Sequence, residues 1–326
     1  MRQSVSRRII AAAISAAALL PAQGQKPGVP VISGFINARY SWDSNDDDTH
    51  GFDIRRVRLA AGGELSSRID YKVQAEYETT VKIIDAYLRW KIHPAFNLQL
   101  GEFKLPYSQE NLYGPTSWLT IENPTAVSRL NGYQDLSGIK ANGRDVGFIF
   151  YGDLLPAADG HSYLSYKVGL FNGNGINTKD DNNRKDFAGL LYVRPVRQLA
   201  LTAGHYQGNY GAKGAEHVRI RTSAGAEWKD GVLTLRSEYL HGNTAGQKSD
   251  GVYALAAYQV SRVVQPLVSY DYFKADTGAD EHQSNYQIGV NVTPLKNLRI
   301  QAAYTYEDYH LADDIHLVEA QIFVQF

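Results

Sequence analysis

Leu317-Val318-Glu319-Ala320-Gln321-Ile322-Phe323-Val324-Gln325-Phe326 closes the chain. Val318, Ala320, Ile322, Val324 and Phe326 fall on one face of a strand. Glu319, Gln321 and Gln325 fall on the other, with Phe323 as the one apolar intruder. A last strand with one lipid-like face and a terminal Phe is the pattern of an outer-membrane β-barrel. Phe326 is then the signal read by the barrel-assembly machinery, and the strand closes the sheet against the first one. The fold class expected from this end is all-β: a transmembrane antiparallel β-barrel.

The same period of two runs back through the sequence. Leu298, Ile300, Ala302, Tyr304 and Tyr306 alternate with mainly polar odd positions. Val218, Ile220, Ala224 and Trp228 alternate with Arg219, Arg221 and Glu227, and Tyr71, Val73, Ala75 and Tyr77 with Lys72, Gln74, Glu76 and Glu78. Ile84, Ala86, Leu88, Trp90 and Ile92 are expected on one face, with Asp85, Tyr87, Arg89 and Lys91 on the other. Such alternation marks strands wet on one side, and runs of this length suit tilted membrane-crossing strands. A small soluble barrel or sandwich would bury the second face, but that face carries too many Lys, Arg, Glu and Gln for a dry core. In lipid only a closed barrel satisfies every strand edge.

Segment counting gives about 16 strands, near 31–43, 52–65, 69–79, 82–93, 96–104, 143–153, 162–172, 184–194, 198–210, 216–229, 231–241, 251–261, 265–275, 283–293, 297–309 and 315–326. Tight connections at 66–68, 93–95, 195–197, 229–231 and 294–296 alternate with longer polar ones at 43–48, 172–184, 211–216, 242–250, 276–281 and 310–314. Short turns on one rim and long loops on the other fit a membrane barrel. The rhythm breaks once, from Pro106 to Asn142. That stretch is too apolar for disorder (Trp118, Leu119, Ile121, Val127, Leu130, Leu136) and is expected to fold inward and constrict the lumen. Asn123 is expected to cap a short helix, with Pro124 at its first position.

The start of the chain reads as an export signal. Arg2, Arg7 and Arg8 precede an apolar run from Ile9 to Leu20, too short to span a membrane as a helix, and Ala22-Gln23-Gly24 offers a cleavage site. Residues 1–24 are read as a signal peptide and 25–326 as the barrel. Removing the signal takes 33 basic and 34 acidic residues to 30 and 34, a net −4, with no basic excess to suggest nucleic acid. Cys is absent, consistent with export to an oxidising compartment. Tyr outnumbers Phe by 22 to 11, which suits girdles at the lipid–water interfaces.

A barrel selects by width and wall charge. Strand parity turns Arg56, Arg58, Lys72, Arg89, Lys91, Arg219, Arg221, Arg236 and Arg299 inward as an anion path. Glu64, Glu76, Asp85, Glu227, Glu238 and Glu319 are the lumen carboxylates expected to pair with them. Lys104, Arg129, Lys140 and Arg144 belong to the constriction-loop region, opposed by Glu110, Glu122 and Asp135. A guanidinium keeps its charge and holds two phosphate oxygens at once, so an Arg ladder is a plausible route for anions.

Catalysis and metal binding find little support. The nine His are scattered, with no His-Glu-x-x-His and no Gly-x-Ser-x-Gly. The acidic loops near 43–48 and 179–183 lack the glycine and terminal glutamate of a Ca²⁺ loop and read as solvated charge. No enzyme, cofactor or metal is expected. The rival readings are a structural or adhesive barrel plugged by 106–142, and an outer-membrane hydrolase.

Phe52-Asp53-Ile54-Arg55-Arg56-Val57-Arg58-Leu59, Asp85-Ala86-Tyr87-Leu88, Gly101-Glu102-Phe103-Lys104-Leu105-Pro106, Arg144-Asp145-Val146-Gly147 and Tyr166-Lys167-Val168-Gly169-Leu170-Phe171-Asn172-Gly173-Asn174-Gly175 stand in an order and spacing that resembles the phosphate-selective porin O and P family. The resemblance implies a 16-stranded homotrimeric channel of the bacterial outer membrane, set among lipid and lipopolysaccharide, with passive, charge-selective conduction of small solutes. Phosphate-specific members are known for an Arg ladder plus basic residues at the constriction. A dense lysine cluster is missing from 106–142 here, so the expectation is anion preference, with phosphate as one candidate solute.

Overall fold

The computed structural model describes residues 28–45 and 50–326. The expected signal peptide lies outside the described residues, as does Asp46–Asp48 of the first acidic loop. The strands are β1 (Val31–Asp43), β2 (Gly51–Ser66), β3 (Ile69–Glu76), β4 (Lys82–His93), β5 (Phe96–Lys104), β6 (Arg144–Pro156), β7 (Ser162–Phe171), β8 (Asp186–Val196), β9 (Leu199–Tyr210), β10 (His217–Lys229), β11 (Leu233–Thr244), β12 (Gln247–Tyr258), β13 (Val264–Lys274), β14 (Gln283–Leu295), β15 (Leu298–Tyr309) and β16 (Ile315–Gln325). Each pairs antiparallel with its sequence neighbours, and β1 pairs with β16, so these sixteen strands form one closed barrel.

The closure is made where the sequence pattern placed it. Gly34 and Phe326 exchange both backbone hydrogen bonds, at 2.9 and 3.0 Å. Phe323, the intruder on the polar face, is fully buried inside the barrel against Phe35, with ring centroids 5.7 Å apart. The Arg58 guanidinium lies over Phe35 in turn, 5.7 Å from its ring centre. Val318, Ile322, Val324 and Phe326 stand exposed on the outer face, as lipid contact requires.

Two β-bulges shift the expected parity. Between β1 and β2 the register moves from Asn37↔Arg56 to Ala38↔Ile54, so Arg55 is an extra residue that joins Arg56 on the inner side. Between β3 and β4 it moves from Gln74↔Asp85 to Ala75↔Ile83. Ile84 is therefore not on the outer face as alternation predicted. It is wholly buried at the bulge, and Ile83 takes the exposed position.

The loop expected at 242–250 is also corrected. β11 and β12 continue to Thr244 and Gln247, joined by Ala245-Gly246, both at positive φ (53° and 95°). A two-residue hairpin turn needs that left-handed backbone, and glycine supplies it most readily. Gly242 and Gly251 are wall residues here. A Cβ at Gly242 would stand 2.7 Å from Leu130 and one at Gly251 2.4 Å from Ala126, so their bareness lets an internal helix reach the sheet.

Candidate functional site

The segment between β5 and β6 carries two short helices, α1 (Gln109–Leu112) and α2 (Thr125–Leu130), separated by a 3-10 turn at Pro115–Ser117. α2 contacts β11, β12 and β13. Its apolar side, Ala126, Val127 and Leu130, is fully buried with Leu240, Tyr253 and Phe273 of the wall. The cap differs from the sequence reading. Pro124, not Asn123, is the N-cap, and no side chain of the segment caps the helix. Asp271 of β13 does so instead, accepting the Thr125 N–H at 2.5 Å. Glu238 of β11 serves α1 in the same way, accepting from Ser108 Oγ at 2.8 Å and from the Gln109 N–H at 2.9 Å.

Several charges assigned to an anion path hold this segment instead. Arg221 is inward but sealed, its side chain 1% exposed, paired with Asp135 at 3.2 Å and donating to the Leu130 carbonyl. Arg219 binds Asp186 at 3.4 Å and the Gly173 carbonyl at 3.0 Å. Arg236 joins Glu110 and Glu227, each at 2.8 Å, with its guanidinium 3.9 Å from the Tyr113 ring centre. Burial pushes the Tyr113 hydroxyl up, and it stays protonated as a donor to Glu227 at 3.0 Å. Arg299 donates to the Thr116 carbonyl at 2.8 Å and to that of Trp118. Lys104 donates to the carbonyls of Asn111 and Tyr113. Arg144 bridges Asp85 at 2.8 Å and the Asn142 carbonyl at 2.9 Å. Parity placed Arg219, Arg221, Arg236 and Arg299 on the correct face, but the segment covers them. They anchor it rather than line an open path.

Other predicted groups pair along the wall: Arg58 with Glu76 at 2.6 Å, Lys72 with Asp85 at 3.1 Å, Arg89 with Asp70 at 2.6 Å, and Lys91 with Glu64 at 3.2 Å. Lys140 is exposed. Arg129 has no carboxylate partner among the described residues and lines the open cavity.

That cavity, about 950 Å³, lies between the segment and the walls of β1–β3 and β12–β16. Its most concentrated charge is a guanidinium group of β1 and β2. Arg39 contacts Asp53 at 2.7 Å, Glu319 at 3.2 Å and Glu122 at 3.5 Å. Arg55 holds Glu122 at 2.8 Å and Arg56 reaches it at 3.5 Å. Arg56 also lies over the Trp118 ring, 5.1 Å from its centre. Burial pushes the Glu122 carboxyl up, but the Arg56, Arg55 and Arg39 guanidiniums outweigh it and hold it below its ordinary value. Arg39 and Arg55 were missed from sequence. Arg39 follows the inward parity of Asn37 and Ser41 and was legible, whereas Arg55 depends on the bulge. The acids Asp43, Glu281 and Glu307 line the same cavity toward the long-loop ends of the strands, while Arg56 and Arg58 pair with Asn37 and Phe35 deeper down.

The model of the family described as "Phosphate-selective porin O and P" matches residues 34–326. No curated protein sequence matches the chain. Among solved structures it is similar to an anion-selective porin from Comamonas acidovorans (15% identity, TM-score 0.68, 91% of this chain and 99% of that one). It is similar also to OmpT of Vibrio cholerae in its trimer form (14% identity, TM-score 0.67, 92% and 100%). Salmonella typhi OmpF in complex with daunomycin gives 14% identity and a TM-score of 0.62, over 91% and 97%. At these identities the likenesses establish the barrel fold.

Proposed function

The chain belongs to the phosphate-selective porin O and P family and is a porin of the bacterial outer membrane; on that premise we propose that it passes small hydrophilic solutes passively, without chemistry, and prefers anions. The observation that carries the preference is the cluster of Arg39, Arg55 and Arg56 on one side of the cavity, with Glu122 of the 105–143 segment as its principal counter-charge. The acids nearer the mouth outnumber the basic groups there. Selectivity is nonetheless set where the path narrows and charges lie closest to the solute. The segment narrows the path from the β10–β13 side and acts as the constriction. Arg129 on α2 adds a cation to it, and phosphate is among the anions such guanidiniums suit.

The open cavity beside the segment favours conduction over a plugged barrel. Recording single channels in a KCl gradient tests the reading: a reversal potential favouring chloride supports it, and a silent or cation-preferring barrel overturns it. Titrating phosphate against the chloride current then tests for a phosphate site. We further propose that the protein is a homotrimer in a lipid and lipopolysaccharide bilayer, inserted through recognition of Phe326. The trimer would run as a high-mass band before heating. Residues 1–24 are proposed as the signal removed on export, which sequencing of the mature N-terminus tests.

A further inference from the structure

The cavity has two chemically different sides. The β1–β2 side offers guanidiniums. The β13–β15 side offers neutral groups: Ser269, Gln283, Asn285, Gln287 and Thr305. Buried polar atoms that lack a protein partner divide in the same way. Arg56 Nη1 and Arg129 Nε are unpaired donors, while Asn123 Oδ1, Asp271 Oδ1, Gln287 Oε1 and Glu76 Oε1 are unpaired acceptors, and all six residues line this one cavity. A halide satisfies only the donors. A solute that replaces water at both sets needs anionic oxygens on one side and N–H or O–H donors on the other.

We infer that the preferred solutes are hydroxylated organic anions, such as polyol phosphates and hydroxy acids; the inference rests on the anion preference proposed above and names its solute class. Hydroxyl donors fit better than an ammonium group. Asn123 and Gln287 present neutral amide oxygens. The second oxygen of Asp271 already accepts from Thr125 N at 2.5 Å and Asn285 Nδ2 at 3.2 Å, which offsets part of its charge. Gln287 Nε2 donates to Thr305 Oγ1 at 2.9 Å, which fixes its amide so that Oε1 is left for a solute.

The test compares glycerol phosphate, propyl phosphate and aminoethyl phosphate as potassium salts against KCl, in bilayers containing the full trimer. Glycerol and propyl phosphate carry the same anionic group and differ in two hydroxyls. Permeability ratios from reversal potentials should favour glycerol phosphate by about two- to tenfold per hydroxyl engaged. Gln287→Leu and Thr305→Val should each shrink that ratio. Equal permeability of glycerol and propyl phosphate overturns the inference, as does a preference for aminoethyl phosphate or a ratio that both variants leave untouched. The KCl gradient in the same membranes separates the two levels. A channel that favours chloride but ignores the hydroxyls refutes only the solute class, and one that favours potassium refutes the anion reading beneath it. The wild-type comparison needs no variant to fold.

Discussion

Asp271 of β13 accepts the backbone N–H of Thr125 at 2.5 Å, so the barrel wall itself caps the helix of the internal segment. α2 has six residues and no side-chain cap of its own. Its first turn leaves N–H groups that need an acceptor once buried. The carboxylate also suits the positive end of the helix. Position and folding of the segment are thereby coupled, because the cap exists only when the helix lies against β13.

Replacing Asp271 with Ala should loosen that seat by about 1 kcal/mol, the ordinary worth of an N-cap. The expected readout is a noisier open-channel current and closure at lower voltage, with Asp271→Asn closer to wild type because its amide oxygen still accepts. An Asp271→Ala channel as quiet as the parent would mean that the apolar contacts of Ala126, Val127 and Leu130 hold the helix unaided.

Selectivity should answer to the arginines that face open space and not to those that are sealed. Arg39→Glu or Arg55→Glu is expected to lower the chloride-to-potassium permeability ratio roughly three- to tenfold, since each reverses a charge a few ångströms from the path in a watery medium. Arg219→Glu would instead set a second carboxylate against fully buried Asp186 and should impair assembly. The two classes are told apart by measuring reversal potentials alongside the yield of folded protein.

This distinction shows where sequence stops being informative. The strands were legible because lipid on one side and water on the other impose a period of two that no soluble core would tolerate. Counting residues by parity then placed Arg221 and Arg299 on the inner face correctly. Whether an inner residue meets solute or protein depends on where 105–143 lies, and that is fixed by non-local contacts such as Arg221 with Asp135. Arg55 and Ile84 escaped for a different reason. A bulge adds one residue without a signature in composition, and every parity assignment beside it slips. Gly242 misled because glycine signals loops, whereas here it clears room for Leu130.

Glu122 supplies a pH dependence with a definite sign. Its pKa is held below the ordinary glutamate value, about 4.3, so its contacts with Arg39, Arg55 and Arg56 are fully present above that range. They are lost as pH falls through the lower, folded-state value. Anion preference should therefore stay level from neutral pH to about pH 5 and rise below about pH 4. Glu122→Gln should show the raised preference at pH 7 and a flatter profile in acid. A rise already complete at pH 6 would point to another group.

The Arg221–Asp135 pair should dominate the stability of the segment. Both side chains are almost fully enclosed, 1% and 2% exposed. Removing one partner strands the other charge in a dry site, at a cost of about 3–5 kcal/mol. Arg221→Met or Asp135→Leu alone should markedly lower the temperature at which the folded band converts to the unfolded one on a gel. The double variant should recover part of the loss, because neither charge is then left unpaired, although the Leu130 carbonyl still loses its donor. Lys91→Met is the comparison. Its pairing with Glu64 is 43% and 40% exposed, and a pair so open to water contributes at most about 1 kcal/mol. Equal shifts for Arg221→Met and Lys91→Met would refute the claim that buried anchors hold the segment in place.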